Sequence, residues 1–206
     1  MQLTTHHKFA LAGAVGLSGI AVFDALTHGV TGHWSAFSDD GDVAWVRTLG
    51  NLVHGLAYAG ALWVLRAERR RIHVNRAAAG FGWLLVAAFV PLAVGFLTVV
   101  PLQPFGIGVG LYDVVTPVIG VAFGLQFVAG IGLGLSLLKR PETGPGSRIL
   151  QAIIPVIGAT ALTAFLATDW AHPAYVEVCT IVGVALLGAA APAGRRTPSA
   201  AAVVRA

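Results

Sequence analysis

AAGFGWLLVAAFVPLAVGFLTVVP, residues 78–101, contains no ionisable side chain and shows no polar face. As a helix this stretch reaches about 36 Å at 1.5 Å per residue, enough to cross roughly 30 Å of hydrocarbon. A soluble helix of that length normally keeps one side polar, whereas a helix in lipid needs only its backbone groups satisfied internally. The stretch therefore reads as a membrane span.

Moving outward, runs of the same kind occupy about 8–30, 43–66, 112–138, 148–168 and 172–192. The expected fold is all-α: a polytopic integral membrane bundle of six transmembrane helices forming one domain over residues 1–192. Residues 193–206 are expected to be a disordered cytoplasmic tail. The last two runs are the shortest. Composition agrees, since 56% of the 206 residues are hydrophobic, 11% are charged and the mean hydropathy is +0.79, outside the balance of a soluble domain. The first run lacks a small-x-small cleavage pattern before Asp24, so it reads as a retained span rather than a signal peptide.

The net charge of +4 does not mark a nucleic-acid surface, because the basic residues are confined to short segments between apolar runs. Lys8 precedes the first run, the group Arg66, Arg69, Arg70, Arg71 and Arg76 follows the second, Lys139, Arg140 and Arg148 follow the fourth, and Arg195, Arg196 and Arg205 follow the sixth. The positive-inside rule places all of them, and both termini, in the cytoplasm of a multi-pass plasma-membrane protein. The outer connections then carry Asp39, Asp40, Asp42 and Asp169. Trp34, Trp45, Trp170, Tyr112 and Tyr175 lie near the outer ends, in agreement with an interfacial aromatic belt. The excess of Arg over Lys, 11 to 2, with abundant Ala, Gly and Val, fits a GC-rich bacterial genome.

Small residues punctuate the runs. Gly13, Gly16 and Gly19 in the first and Gly120, Gly124, Gly130, Gly132 and Gly134 in the fourth permit close helix approach, within one chain or in a homo-oligomer. Pro91, Pro117 and Pro155 are expected to bend their helices. The loop QPFGIGVGLYD, residues 103–113, lacks the GK[ST] that would make its glycines a phosphate loop. The lone Cys179 excludes an intrachain disulfide. GLSG, residues 16–19, matches the GxSG of rhomboid proteases, but it falls in the first run rather than the fourth, and no histidine in the sixth is placed as its base.

The polar residues inside the runs gather toward one side. Asp24 lies about 9 Å below the outer end of the first run, a depth at which an intramembrane carboxylate needs a partner or a proton. His28 shares its face at i+4. Arg47, Asn51 and His54 share a face of the second run at i, i+4 and i+7; by depth Asn51 is nearly level with Asp24 and Arg47 with His28, and Arg47 is the simplest ion-pair partner for Asp24. Asp113 and Glu177 add carboxylates from the fourth and sixth runs. The candidate acid–base residues are Asp24, His54 and Glu177; His28, Arg47, Asn51 and Asp113 are candidates to hold a polar substrate head.

His28, His33, His54 and His172 are metal-ligand types, yet no HxxxH or HExxH spacing is present, and no metal or cofactor is assigned. His6, His7 and His73 are expected to be solvated on the cytoplasmic side. SDDGD, residues 38–42, lacks the EF-hand pattern and reads as a wet acidic loop. The inner halves of the runs carry only neutral polar residues, which weighs against a conduction path. The favoured function is a membrane-embedded enzyme or binding protein for a lipidic or isoprenoid ligand. The alternatives are a non-enzymatic membrane subunit with a structural polar cluster, and a small proton, metal or solute transporter.

Overall fold

The computed structural model describes residues 3–38 and 43–189. The carboxylates Asp39, Asp40 and Asp42 and the tail from residue 190 lie outside them. Among the described residues the chain is helical throughout, with no strand. The helices are α1 (Thr5–Thr31), α2 (Ala44–Ala67), the single turn α3 (Arg69–Ile72), α4 (Arg76–Thr98), α5 (Val109–Ser136), α6 (Gly146–Gln151), α7 (Ile153–Leu166) and α8 (Ala174–Ala185).

Among the described residues, five segments are long and apolar enough to cross a membrane: α1, α2, α4 with the 3-10 turn that follows it, α5, and α6 with α7. The sixth expected run is instead a 12-residue helix ending at Ala185, about 18 Å long. Its last turn gives way to Gly188, which takes the left-handed conformation at φ 75° and donates its N–H to Thr143. The fifth run is broken as well, at Ala152 between α6 and α7. Pro155 explains the break, since it has no N–H to return to the Gln151 carbonyl. Pro91 and Pro117 lie inside α4 and α5, which continue through them.

α2 occupies the middle, packed against α1, α4 and α8, while α5 lies against α4 and α6. The core is a block of fully buried side chains, Leu17, Tyr58, Leu85, Phe89, Leu92, Leu133, Leu150 and Ile181. Glycine sets the closest crossings. A Cβ on Gly13 would lie 2.9 Å from the Ala57 Cα, and one on Gly60 2.8 Å from the Ala10 Cα. Gly13→Ala must therefore separate α1 from α2, at an expected cost of about 1–3 kcal/mol, readable as a lower melting temperature in detergent. Gly120→Ala, with nothing within 4 Å of the new methyl, should be neutral. Among the described residues the GxxxG pair Gly120 and Gly124 thus makes no close approach, whereas Gly130 and Gly134 pack against Leu150 of α6.

The connections are built where the sequence gives them freedom. After α4, residues Val100–Phe105 form a 3-10 turn, and Gly106 and Gly108 adopt φ of 69° and 70° before α5 begins. Only glycine takes that conformation without strain. The loop after α1 folds back so that Ser35 is buried beneath it.

Two polar ends result. At one, Asp24, Ser35 and His172 meet; at the other, His7, Glu68, Arg71, Leu187 and Gly188 meet. The described Lys and Arg residues other than Arg47 belong to segments at the second end or to its flanking loops.

Candidate functional site

The Asp24 end of the bundle holds a pocket of about 320 Å³ lined by Asp24, Trp34, Ser38, His54, Tyr58, Phe96, Phe123, His172, Pro173 and Glu177. α1, α2, α4, α5 and α8 all contribute, with the loop after α1 as a wall.

Asp24 is fixed at both oxygens. Oδ1 accepts the Ser35 N–H at 2.9 Å and Oδ2 accepts from His172 Nε2 at 3.2 Å. The other ring nitrogen of His172, Nδ1, accepts the Ala174 N–H at 3.1 Å. That bond selects the tautomer carrying its proton on Nε2, the one that donates to Asp24. The expected Arg47–Asp24 pair does not form: Arg47 donates to Gln103 Oε1 at 2.9 Å, and its buried Nε has no partner. Arg47 is turned toward the 3-10 turn after α4, where Thr48 donates to the Pro101 carbonyl.

His54 differs from His172. Its Nδ1 donates to the Gly50 carbonyl at 2.9 Å and its ring stacks on Phe96, centroids 5.5 Å apart. Nε2 is then the unprotonated nitrogen, available as an acceptor. One turn on, Tyr58 is wholly buried and its hydroxyl donates to Glu177 Oε1 of α8. Gln126 of α5 approaches this phenol but reaches no hydrogen-bond geometry, so both polar atoms of its fully buried amide are unsatisfied. A buried amide left in that state costs free energy, which marks a spot suited to a polar guest or an ordered water.

The rim is latched to α1. His28 Nδ1 donates to the Asp169 carbonyl at 2.7 Å and stacks on Trp34 with centroids 4.2 Å apart; Trp34 meets His172 edge-on at 5.4 Å. Trp170 lies flat over Gly29, where any Cβ would strike its indole.

The pocket thus gathers Asp24, His54 and Glu177, which the sequence singled out. It does not gather the residues expected to hold a head group. His28 stands in the rim behind Trp34, Arg47 bonds Gln103, Asn51 is buried on α2 outside the lining, and Asp113 is exposed on α5. His172, Tyr58 and Trp34 are among the lining residues that spacing did not select.

Toward the opposite end the interior turns apolar. Inward of Tyr58 the buried side chains are chiefly Phe89, Leu85, Leu133, Ile181 and Val184; the Thr180 hydroxyl is spent on the Val176 carbonyl. A separate cleft of about 220 Å³ at the basic end is lined by Arg66, Arg69, His73 and Trp83 among others. There, burial and the Arg69 cation hold His73 below the usual imidazole value, keeping it neutral at pH 7. Comparison with known proteins finds no matching family model, no matching curated protein and no matching solved structure.

Proposed function

We propose that the chain is a six-crossing plasma-membrane protein whose pocket opens at the outer face and takes the polar end of a lipidic or isoprenoid molecule for acid–base chemistry. The observation that carries this reading is His54: its proton is held on Nδ1 by Gly50, leaving a free Nε2 in a pocket that also contains the Tyr58–Glu177 pair. His54 accepts a proton from the bound molecule. The Tyr58–Glu177 pair gives the bound molecule one proton in return, and the proton on His54 restores the pair when the product leaves. Asp24, with both oxygens engaged, positions His172 and the loop rather than reacting.

Trp34, Phe96 and Phe123 give the pocket apolar walls, suited to an isoprenoid or acyl segment, and the exposed apolar flank of α7, including Leu162, Phe165 and Leu166, faces lipid. The apolar floor disfavours transport, which needs polar or wet access to both sides.

Six crossings with both termini cytoplasmic are supported by the path of residues 172–187. His172 touches Asp24 and the Leu187 carbonyl touches His7, so this segment covers the same depth as α1 between Asp24 and His7, about 25 Å. Labelling from the two sides tests the topology. In a Cys179→Ala background, Ser38→Cys should react with a membrane-impermeant maleimide from outside and Arg70→Cys only after permeabilisation; the reverse pattern would overturn the orientation.

The chemistry is tested by lipid extracts of cells expressing the wild type or His54→Gln. The wild type should shift the ratio of two lipid species, and His54→Gln should slow that conversion by about 10²–10⁴-fold, the usual share of a general base. If wild-type expression shifts no lipid ratio, the enzymatic reading fails. A non-enzymatic subunit is the second reading, favoured by the latch of Asp24, His28 and Trp170 that ties the α7–α8 turn to α1.

A further inference from the structure

At the end of the bundle opposite the pocket, His6 and His7 were expected to be solvated, but His7 is buried, 1% exposed, and Glu68 is 7% exposed. One ligand atom from each of His6, His7 and Glu68 lies within 4.8 Å of the others. His6 Nε2 is 2.9 Å from Glu68 Oε1. His7 donates from Nε2 to the Leu187 carbonyl at 2.8 Å, so its Nδ1 carries the lone pair. Into that lone pair points the Thr4 hydroxyl, 2.6 Å away and also 2.8 Å from His6 Nε2.

We propose that His6, His7 and Glu68 form a binding site for a divalent transition-metal ion of the zinc class, with the Thr4 hydroxyl or a water as fourth ligand. Two imidazole nitrogens and one carboxylate oxygen match the ligand types that such ions take in tetrahedral sites. The surroundings match as well. A metal-bound histidine usually donates its second N–H to a carbonyl, which fixes the ring and its tautomer, and His7 does this with Leu187. Glu68 is divided in the same sense: Arg71 bonds Oε2 at 3.1 Å, leaving Oε1 for the ion. Arg71 also donates to the Gly188 carbonyl at 2.9 Å, so the ion would join the start of α1, the α2–α3 junction and the chain after α8.

Arg71, already paired with Glu68 Oε2, opposes a further positive charge. Loading therefore requires His6 to be neutral, and any proton shared between His6 and Glu68 leaves as the metal enters. The site is independent of the outer pocket, whose His172 has both ring nitrogens engaged.

The test uses the full chain in detergent, stripped with a chelator and dialysed against zinc chloride. Wild type and His54→Gln should each retain one zinc per chain, while His6→Gln and Glu68→Gln should bind it at least tenfold more weakly. His6 is only partly buried, so its substitution should preserve helicity, checked by circular dichroism. X-ray absorption at the zinc edge of the wild type, which needs no variant, should show scattering from two imidazoles. Absence of stoichiometric zinc, equal affinity in the variants, loss of zinc in His54→Gln, or a spectrum without imidazole would each overturn the site.

Discussion

Asp24→Ala should lower the stability of the bundle by about 2–6 kcal/mol, since it leaves two buried donors without an acceptor at about 1–3 kcal/mol each. The substitution leaves the His172 Nε2 proton and the Ser35 N–H facing a void, because both are satisfied by this one carboxylate. It also frees the α7–α8 turn, held otherwise by the His28 bond to Asp169 and the Trp170 contact with Gly29. Asp24→Asn should be milder yet still costly. One amide oxygen can accept from Ser35 or from His172, but the NH₂ then opposes the other donor, and the Ala174 N–H bars His172 from switching tautomer. A loss of about 1–3 kcal/mol follows. Thermal unfolding in detergent orders the three proteins as wild type, Asn, Ala. Equal melting temperatures would mean that the dyad holds nothing together.

The second large effect is expected at Tyr58 and Glu177, which join the central helix α2 to α8. Tyr58→Phe removes the donor and leaves the Glu177 carboxyl, 4% exposed, without it. The expected cost is about 3 kcal/mol, the upper part of the range for an orphaned buried polar group. The double variant Tyr58→Phe with Glu177→Leu replaces both partners by apolar groups and should recover much of that loss. Such recovery in stability without recovery of the lipid conversion would separate packing from chemistry. A double variant no more stable than Tyr58→Phe alone would show that the hydrogen bond is not what matters at this contact.

How far the sequence could be read depended on what each feature requires. α4 was legible because it has no polar face at all, and the polar ends were legible because charges are too costly to scatter through lipid-exposed helices. Helix breaks were less so: Pro155 interrupts its run at Ala152, while Pro91 and Pro117 sit within continuous helices, since neighbouring groups decide whether a freed carbonyl is tolerated. The short α8 was hidden by apolar residues that continue past its last helical turn.

Within the site, counting residues gave depth but not rotation about the helix axis. Arg47 is the simplest ion-pair partner for Asp24 in the sequence, yet it donates to Gln103 of the 3-10 turn after α4, while Asp24 accepts from His172. Asp113 was at the right height on the wrong side of α5, exposed rather than inward. The Tyr58–Glu177 bond joins residues far apart in the chain, and no local pattern encodes it. The basic and polar neighbours of His7 in the sequence point to solvent; its burial comes from the Leu187–Gly188 turn folding onto the start of α1.

The central claim, that the pocket around His54 holds a lipidic molecule, is tested most directly by native mass spectrometry of the protein released gently from its own membrane. The account predicts a one-to-one adduct with the mass of a lipid or isoprenoid in the wild type. It predicts loss of that adduct in His54→Phe, which puts an apolar ring where the free nitrogen was. A wild-type protein that flies without any lipidic adduct, or an adduct retained unchanged in His54→Phe, would contradict it.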